Sequence, residues 1–198
     1  MLKRILAGLA LGVLVLSCTT AFSADEKCTC ECQCNTNTVA VQKFPVFKRL
    51  TLGNQKDYQH YKGALKFGGF LVGGYAEELL NRVAYAQIPY ALDLVVLSVS
   101  DLGFTQNTRL DAIYAKAKER GLQLCPAEVG PALRLAYPDQ PYGEWLTIAM
   151  EPITDSSGDP DVFRVDRGYG DRWLYASDGG PGSVWRAGNR FVFVSPRK

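Results

Sequence analysis

The sequence is poor in histidine, in net charge and in long apolar runs, and each shortage excludes something. One histidine, His60, among 198 residues rules out any site that needs two imidazoles, such as a His-rich metal centre or a di-histidine relay. The 22 basic and 20 acidic residues nearly cancel, whereas a nucleic-acid binder carries a strong basic excess. No apolar run exceeds the twelve residues from Ile5 to Leu16, short of the roughly 20 that a spanning helix needs.

What is present begins with an export signal. Lys3 and Arg4 precede the Ile5–Leu16 run and small residues follow it, the layout of a basic n-region, an h-region and a processing site. Residues 1–23 are therefore expected to direct the chain to the cell envelope or beyond. Leu14-Val15-Leu16-Ser17-Cys18 resembles a bacterial lipobox, which would make Cys18 a lipidation site and the membrane a partner through that anchor. The alternative is ordinary cleavage after Ala21-Phe22-Ser23, giving a periplasmic or secreted product. Either route removes Lys3 and Arg4 and leaves 20 basic and 20 acidic residues.

Residues 24–43 are rich in Thr, Cys, Asn and Gln and show no apolar periodicity, as expected of a flexible tether. Counted from Thr19, about 25 residues of coil would reach roughly 25–30 Å. Cys28, Cys30, Cys32 and Cys34 alternate with other residues. In extended chain the outer two thiols stand roughly 20 Å apart, so one tetrahedral Zn²⁺ would require a tight curl. A softer Cu(I) or thiolate cluster fits the spacing better. Export favours oxidation, and with Cys125 the five remaining thiols are odd in number, which leaves one free or intermolecular. A disulfide-bearing tail and a thiol-based metal trap both remain open. The folded part is expected to need no cofactor.

From Phe44 the composition turns globular, and residues 44–198 read as one domain. Helices are expected over Lys56–Phe67, Tyr75–Arg82 and Arg109–Arg120, the last starting at Thr108 with Asp111 in a capping-box-like spacing and stopping at Gly121. Ala91–Ser98 has the length and the Leu/Val content of a buried strand. From Glu144 the chain is strand and turn: Glu144–Ile153, Val162–Val165, Trp173–Ala176 and Arg190–Ser195. Two similar stretches, DYQHYKGALKFGGF…AEELL and LDAIYAKAKERGLQL…AEVGPALRL, read as helical hairpins. Helices followed by strands predict an α+β fold, with N-terminal helical hairpins packed on a C-terminal, mainly antiparallel sheet.

The stretch GLQLCPAEVGPALRLAYPDQPYGEWLTIAMEPI, with VFRV, RWL, the terminal RFVFVSPRK and upstream VFKRLTLG, resembles a recurrent, uncharacterised bacterial domain family over about Phe44 to Lys198. The resemblance implies a folded domain with a lipoprotein-like head added to it. It transfers no functional residue.

Four sets of residues are candidates for chemistry. Glu128, Asp139 and Glu144 form a possible acidic site of the kind a glycoside hydrolase builds from two carboxylates. Trp145, Trp173 and Trp185, with Tyr142, Tyr169 and Tyr175, are possible binding aromatics for a glycan or an envelope protein. Cys125 with His60 is a weaker nucleophile–base pair, and Asp155, Asp159 and Asp161 form an acidic turn without the EF-hand spacing. Charge is segregated as well. Lys43 to Lys66 holds six basic residues against Asp57, and Asp139 to Asp161 holds six acidic ones and no basic residue. These two blocks would either attract each other or face outward. The function expected is a non-catalytic binding module of the envelope, with a carboxylate hydrolase and a metal-binding protein as alternatives.

Overall fold

The computed structural model describes residues 44–168 and 170–197; the export signal, Cys18, the four tail cysteines and Tyr169 lie outside the described residues. Strand β1 (Lys48–Leu52) is followed by α1 (Tyr58–Phe67), β2 (Leu71–Val72), α2 (Gly74–Arg82) and the long β3 (Tyr90–Ser98). β4 (Thr108–Arg109) runs straight into α3 (Leu110–Glu119), and α4 (Val129–Ala136) precedes β5 (Trp145–Ile148). Then come β6 (Ile153–Thr154), β7 (Pro160–Gly168), β8 (Asp171–Asp178), β9 (Val184–Trp185) and β10 (Arg190–Ser195).

These strands overturn the expected division into a helical half and a sheet half. The main sheet is mixed and curled, in the order β1-β3-β10-β5-β7-β8-β2, with β6 on β7. Strand outweighs helix. Three of its strands, β1, β2 and β3, come from the N-terminal half, and two neighbouring pairs, β10 with β5 and β2 with β8, are parallel. The hairpins fail for a physical reason: the apolar stripes of α2 and α4 bury against strands and α1 lies against α4, instead of each helix pairing with its neighbour in sequence. Leu79 and Leu80 of α2 and Leu133 of α4 share a core with Leu94, Leu146, Phe163, Leu174 and Val192 of the sheet. α3 joins a separate core on the opposite face, where Leu110, Ile113 and Ala117 meet Val95, Leu97, Phe191 and Phe193.

Local chemistry explains the element ends. Asp57 caps α1, its carboxylate accepting from the His60 backbone N–H at 2.9 Å, and Tyr61 and Leu65 give α1 its buried side. The expected capping box of α3 is absent. Thr108 sits in β4 opposite Trp185, and Asp111 accepts instead from Arg109 and from the Ala112 N–H. Gly121, at φ +80°, ends α3 as expected, and the Leu122 N–H returns to the Ala117 carbonyl. Helix α4 is the second helix of the expected LDAIYAKAKERGLQL…AEVGPALRL hairpin and forms in spite of Gly130 and Pro131. Pro131 falls in the first turn, where the missing N–H has no helical partner anyway. Gly130 is required by packing, because a Cβ there would lie 2.5 Å from the Phe163 ring.

Candidate binding face

Side chains of a strand alternate between faces, so pairing register decides what each face of the sheet presents. On the helix-covered side lie Leu146 and Ile148 of β5, Phe163 and Val165 of β7, and Leu174 of β8. The opposite side receives Trp145, Arg164, Asp166, Trp173 and Tyr175. Its β3 and β10 portion is covered by α3, and no described helix covers the β5-β7-β8 portion. An uncovered sheet face is normally polar. This one carries aromatics.

Register brings those aromatics together. Arg164 lies opposite both Thr147 and Tyr175, and Asp166 lies opposite both Trp145 and Trp173. The Arg164 guanidinium sits 4.9 Å from the Trp145 ring centre and 5.3 Å from that of Tyr175. Tyr175 in turn stacks on Trp173 at 4.8 Å with 8° between planes. Asp166 holds Arg164 from the side at 3.3 Å. The result is a continuous stack across three strands in which a weakly hydrated guanidinium is sandwiched between π-faces. Its Nε is buried without a hydrogen-bond partner among the described residues.

A groove of about 670 Å³ borders this stack. One wall is Trp145, 43% exposed; the other is the β4–β9 ribbon and the loop after it, with Ser183, Trp185, Arg186 and Asn189, and Asp178 at one end. The ribbon is fixed to the start of α3, since the Leu110 N–H donates to the Ser183 carbonyl at 2.9 Å and the Asp111 N–H to Pro181 at 3.1 Å. Trp185 packs edge-on to Phe191 at 4.9 Å, with its indole N–H buried and without a hydrogen-bond partner among the described residues. Trp145 and Trp185 thus share one groove, and Trp173 belongs to the adjoining stack. Tyr142 is exposed, outside both.

The acidic candidates are not brought together in this way. Glu128 is 1% exposed and lies under the β1 side of the molecule. Its Oε1 accepts from the Gly53 N–H and the Tyr61 hydroxyl, both at 2.8 Å, and its Oε2 accepts from the Ala86 N–H at 2.8 Å. Glu144, just before β5, accepts from Arg190 at 2.6 Å and from the Tyr137 hydroxyl at 2.8 Å; burial and this carboxylate push the Tyr137 phenol up to about 12. Asp139 is exposed on the loop between α4 and β5. No described groove or cavity is lined by two of the three.

The remaining candidates have structural explanations. Cys125 is buried in the core and donates to the Val192 carbonyl at 3.3 Å; burial pushes its thiol well above the ordinary range. His60 is exposed on α1 and pairs with Asp57 at 2.8 Å, away from that core. In the acidic turn, Asp155 accepts from the Ser157 and Asp159 N–H groups. No group of three His, Cys, Asp or Glu side chains among the described residues is placed to hold a metal ion. Among the described residues the two charged blocks do not pair: Arg49 meets Asp93 and Lys62 meets Glu77, while Glu144 takes Arg190.

Sequence reasoning missed Arg164, the centre of the stack, and the buried pair Arg134 and Gln140. Arg134 donates to Gln140 at 2.6 Å and to the Tyr137 carbonyl, while Gln140 donates to the Glu144 and Val165 carbonyls. The signal for Arg164 was parity: in VFRVD the arginine alternates with apolar residues, as Trp145 and Thr147 alternate with Leu146 and Ile148. No protein-family model, characterised protein or solved structure matches the chain.

Proposed function

We propose that the protein is a non-catalytic binding module of the cell envelope, delivered by its export signal, held by a lipid on Cys18 and carrying its ligand in the groove beside Trp145. The observation that supports this reading is the uncovered β5-β7-β8 face, where a half-exposed indole borders a 670 Å³ groove. Leaving such a ring in water costs apolar burial that the fold satisfies elsewhere, and a ligand face can supply it. A glycan fits the lining best. The sugar's C–H face stacks on an indole, and its hydroxyls find the amide, hydroxyl, carboxylate and guanidinium of Asn189, Ser183, Asp178 and Arg186.

The test titrates the purified protein with soluble N-acetylhexosamine and hexose oligosaccharides while tryptophan fluorescence is followed. A saturable change is expected, weakened about tenfold in Trp145→Ala, the equivalent of about 1.4 kcal/mol, and weakened also in Asn189→Ala. Absence of any saturable response, or affinity unchanged in Trp145→Ala, refutes the glycan groove. The anchor is checked separately by intact mass of the protein from its native host, where a diacylglyceryl increment on Cys18 is expected.

A further inference from the structure

The end of α1 carries a feature that the groove does not use. Phe67, its last residue, is 97% exposed. A lone exposed hydrophobe is ordinary, but this one is presented by a specific turn. Gly68 leaves room for the Phe70 ring, which a Cβ there would meet at 2.6 Å, and Gly69 turns the chain at φ +67°. Phe70 is thereby tucked under the turn at 7% exposure while Phe67 stays at its tip. Beside the tip lies a depression of about 270 Å³ with an apolar floor of Phe70, Val72 and Leu80, and with Leu71 39% exposed on its rim.

The rim is basic. Lys62 and Lys66 line the depression, and the Arg172 guanidinium lies over the Phe70 ring at 5.2 Å. Glu77 is the one carboxylate in the lining, and Lys62 neutralises it, while Lys66 makes no ion pair among the described residues. Asp171, next to Arg172 in β8, has the opposite parity and belongs to the other face of the sheet. Three cations against one carboxylate leave a formal excess of two positive charges round an apolar tip, the arrangement by which interfacial segments bind anionic bilayers.

We infer that the α1–β2 turn docks this domain onto an anionic lipid surface, Phe67 and Leu71 entering the headgroup boundary and Lys62, Lys66 and Arg172 meeting lipid phosphates. The inference rests on the envelope reading proposed above. A lipid-held chain keeps the domain at high effective concentration near the surface, so two shallow side chains and a net excess of two positive charges suffice. Docking by this turn uses the helix side of the sheet and leaves the Trp145 groove, on the other side, open to ligand.

The test is hydrogen–deuterium exchange on the full-length chain, alone, with phosphatidylcholine vesicles, and with vesicles of mixed phosphatidylcholine and phosphatidylglycerol. Amides from Lys66 to Val72 are expected to slow only with the anionic vesicles. Phe67→Asp and Lys66→Glu should lose that slowing while the thermal midpoint stays put, because both side chains are exposed. Unchanged exchange with anionic vesicles overturns the inference, as does equal slowing on both vesicle types. Slowing without vesicles that grows with protein concentration also overturns it and assigns the turn to a second copy of the chain. Because the readout is local, its failure is distinguishable from failure of the envelope reading, which appears instead as no lipid increment on Cys18.

Discussion

Replacement of Glu128 separates a structural carboxylate from a catalytic one. The side chain is 1% exposed and accepts three hydrogen bonds at 2.8 Å, tying the loop after β1, helix α1 and the segment after α2 to the start of α4. The donors have no substitute within this arrangement. Gly53 is held at φ +78°, and a Cβ there would lie 2.8 Å from the Ile88 carbonyl oxygen. The Tyr61 hydroxyl is buried, and burial, with the Glu128 carboxylate next, pushes its ionisation well up. In Glu128→Ala each buried donor left without a partner costs about 1–3 kcal/mol, and the void adds to that. Release from burying a charge offsets part of the loss. The expected net destabilisation is about 3 kcal/mol, a large fraction of a typical domain's stability. Glu128→Gln keeps the shape but turns an N–H toward one of the donors, for a loss of about 1–2 kcal/mol.

Urea denaturation followed by circular dichroism measures these losses, with unchanged slopes as the condition for comparing midpoints. Tyr61→Phe should cost about 1 kcal/mol. Combined with Glu128→Ala it should cost less than the sum of the two, because both changes remove the same bond. A Glu128→Ala protein within 1 kcal/mol of the parent, or strict additivity with Tyr61→Phe, would refute the structural assignment. It would also reopen the hydrolase reading, since an unneeded buried carboxylate demands a functional explanation.

Two further predictions concern packing and pH. Gly130→Ala places a methyl 2.5 Å from the Phe163 ring and should cost about 1–3 kcal/mol as overpacking; a neutral result in the same urea assay would mean that α4 slides freely on the sheet. Asp161 lies directly opposite Asp178 in the β7–β8 register, and burial, then Asp155, Asp178, Asp159 and Glu78, push its carboxyl up to about 6. The folded state therefore holds this proton more tightly than the unfolded chain, and stability falls as pH rises from about 4 to about 6, then levels off. The displacement corresponds to about 3 kcal/mol unscreened, and solvent at this half-exposed hairpin reduces it to about 1 kcal/mol. Asp161→Asn should remove that part of the pH slope and stabilise the protein at neutral pH, and an identical slope in the variant would sink the assignment.

Local signals in the sequence were legible where one element's own residues decide the outcome. The stripe of Tyr61 and Leu65, the Gly121 stop and the Leu/Val run of β3 all stand in the structure close to their expected bounds. α4 keeps its helix because its breakers sit where they do no harm, Pro131 in the first turn and Gly130 against Phe163. The architecture was not legible. Whether the stripe of α2 faces α1 or the strands depends on partners over 80 residues away, such as Val162 and Leu174, and nothing in the helix encodes their identity.

The binding face shows the same limit at the scale of single side chains. Alternation in WLTI and VFRVD sorts their residues into two faces, and that much is readable without coordinates. It does not tell that Arg164 falls opposite Thr147 on one neighbour and Tyr175 on the other; a slip by one residue would turn the arginine into the core. Register here is fixed by the buried side, where Leu146, Val165 and Leu174 stand in one row across β5, β7 and β8. The exposed aromatic stack is thus positioned by residues that never touch it. It follows that core substitutions in that row, more than changes at Trp173 or Tyr175, control whether the groove keeps its shape.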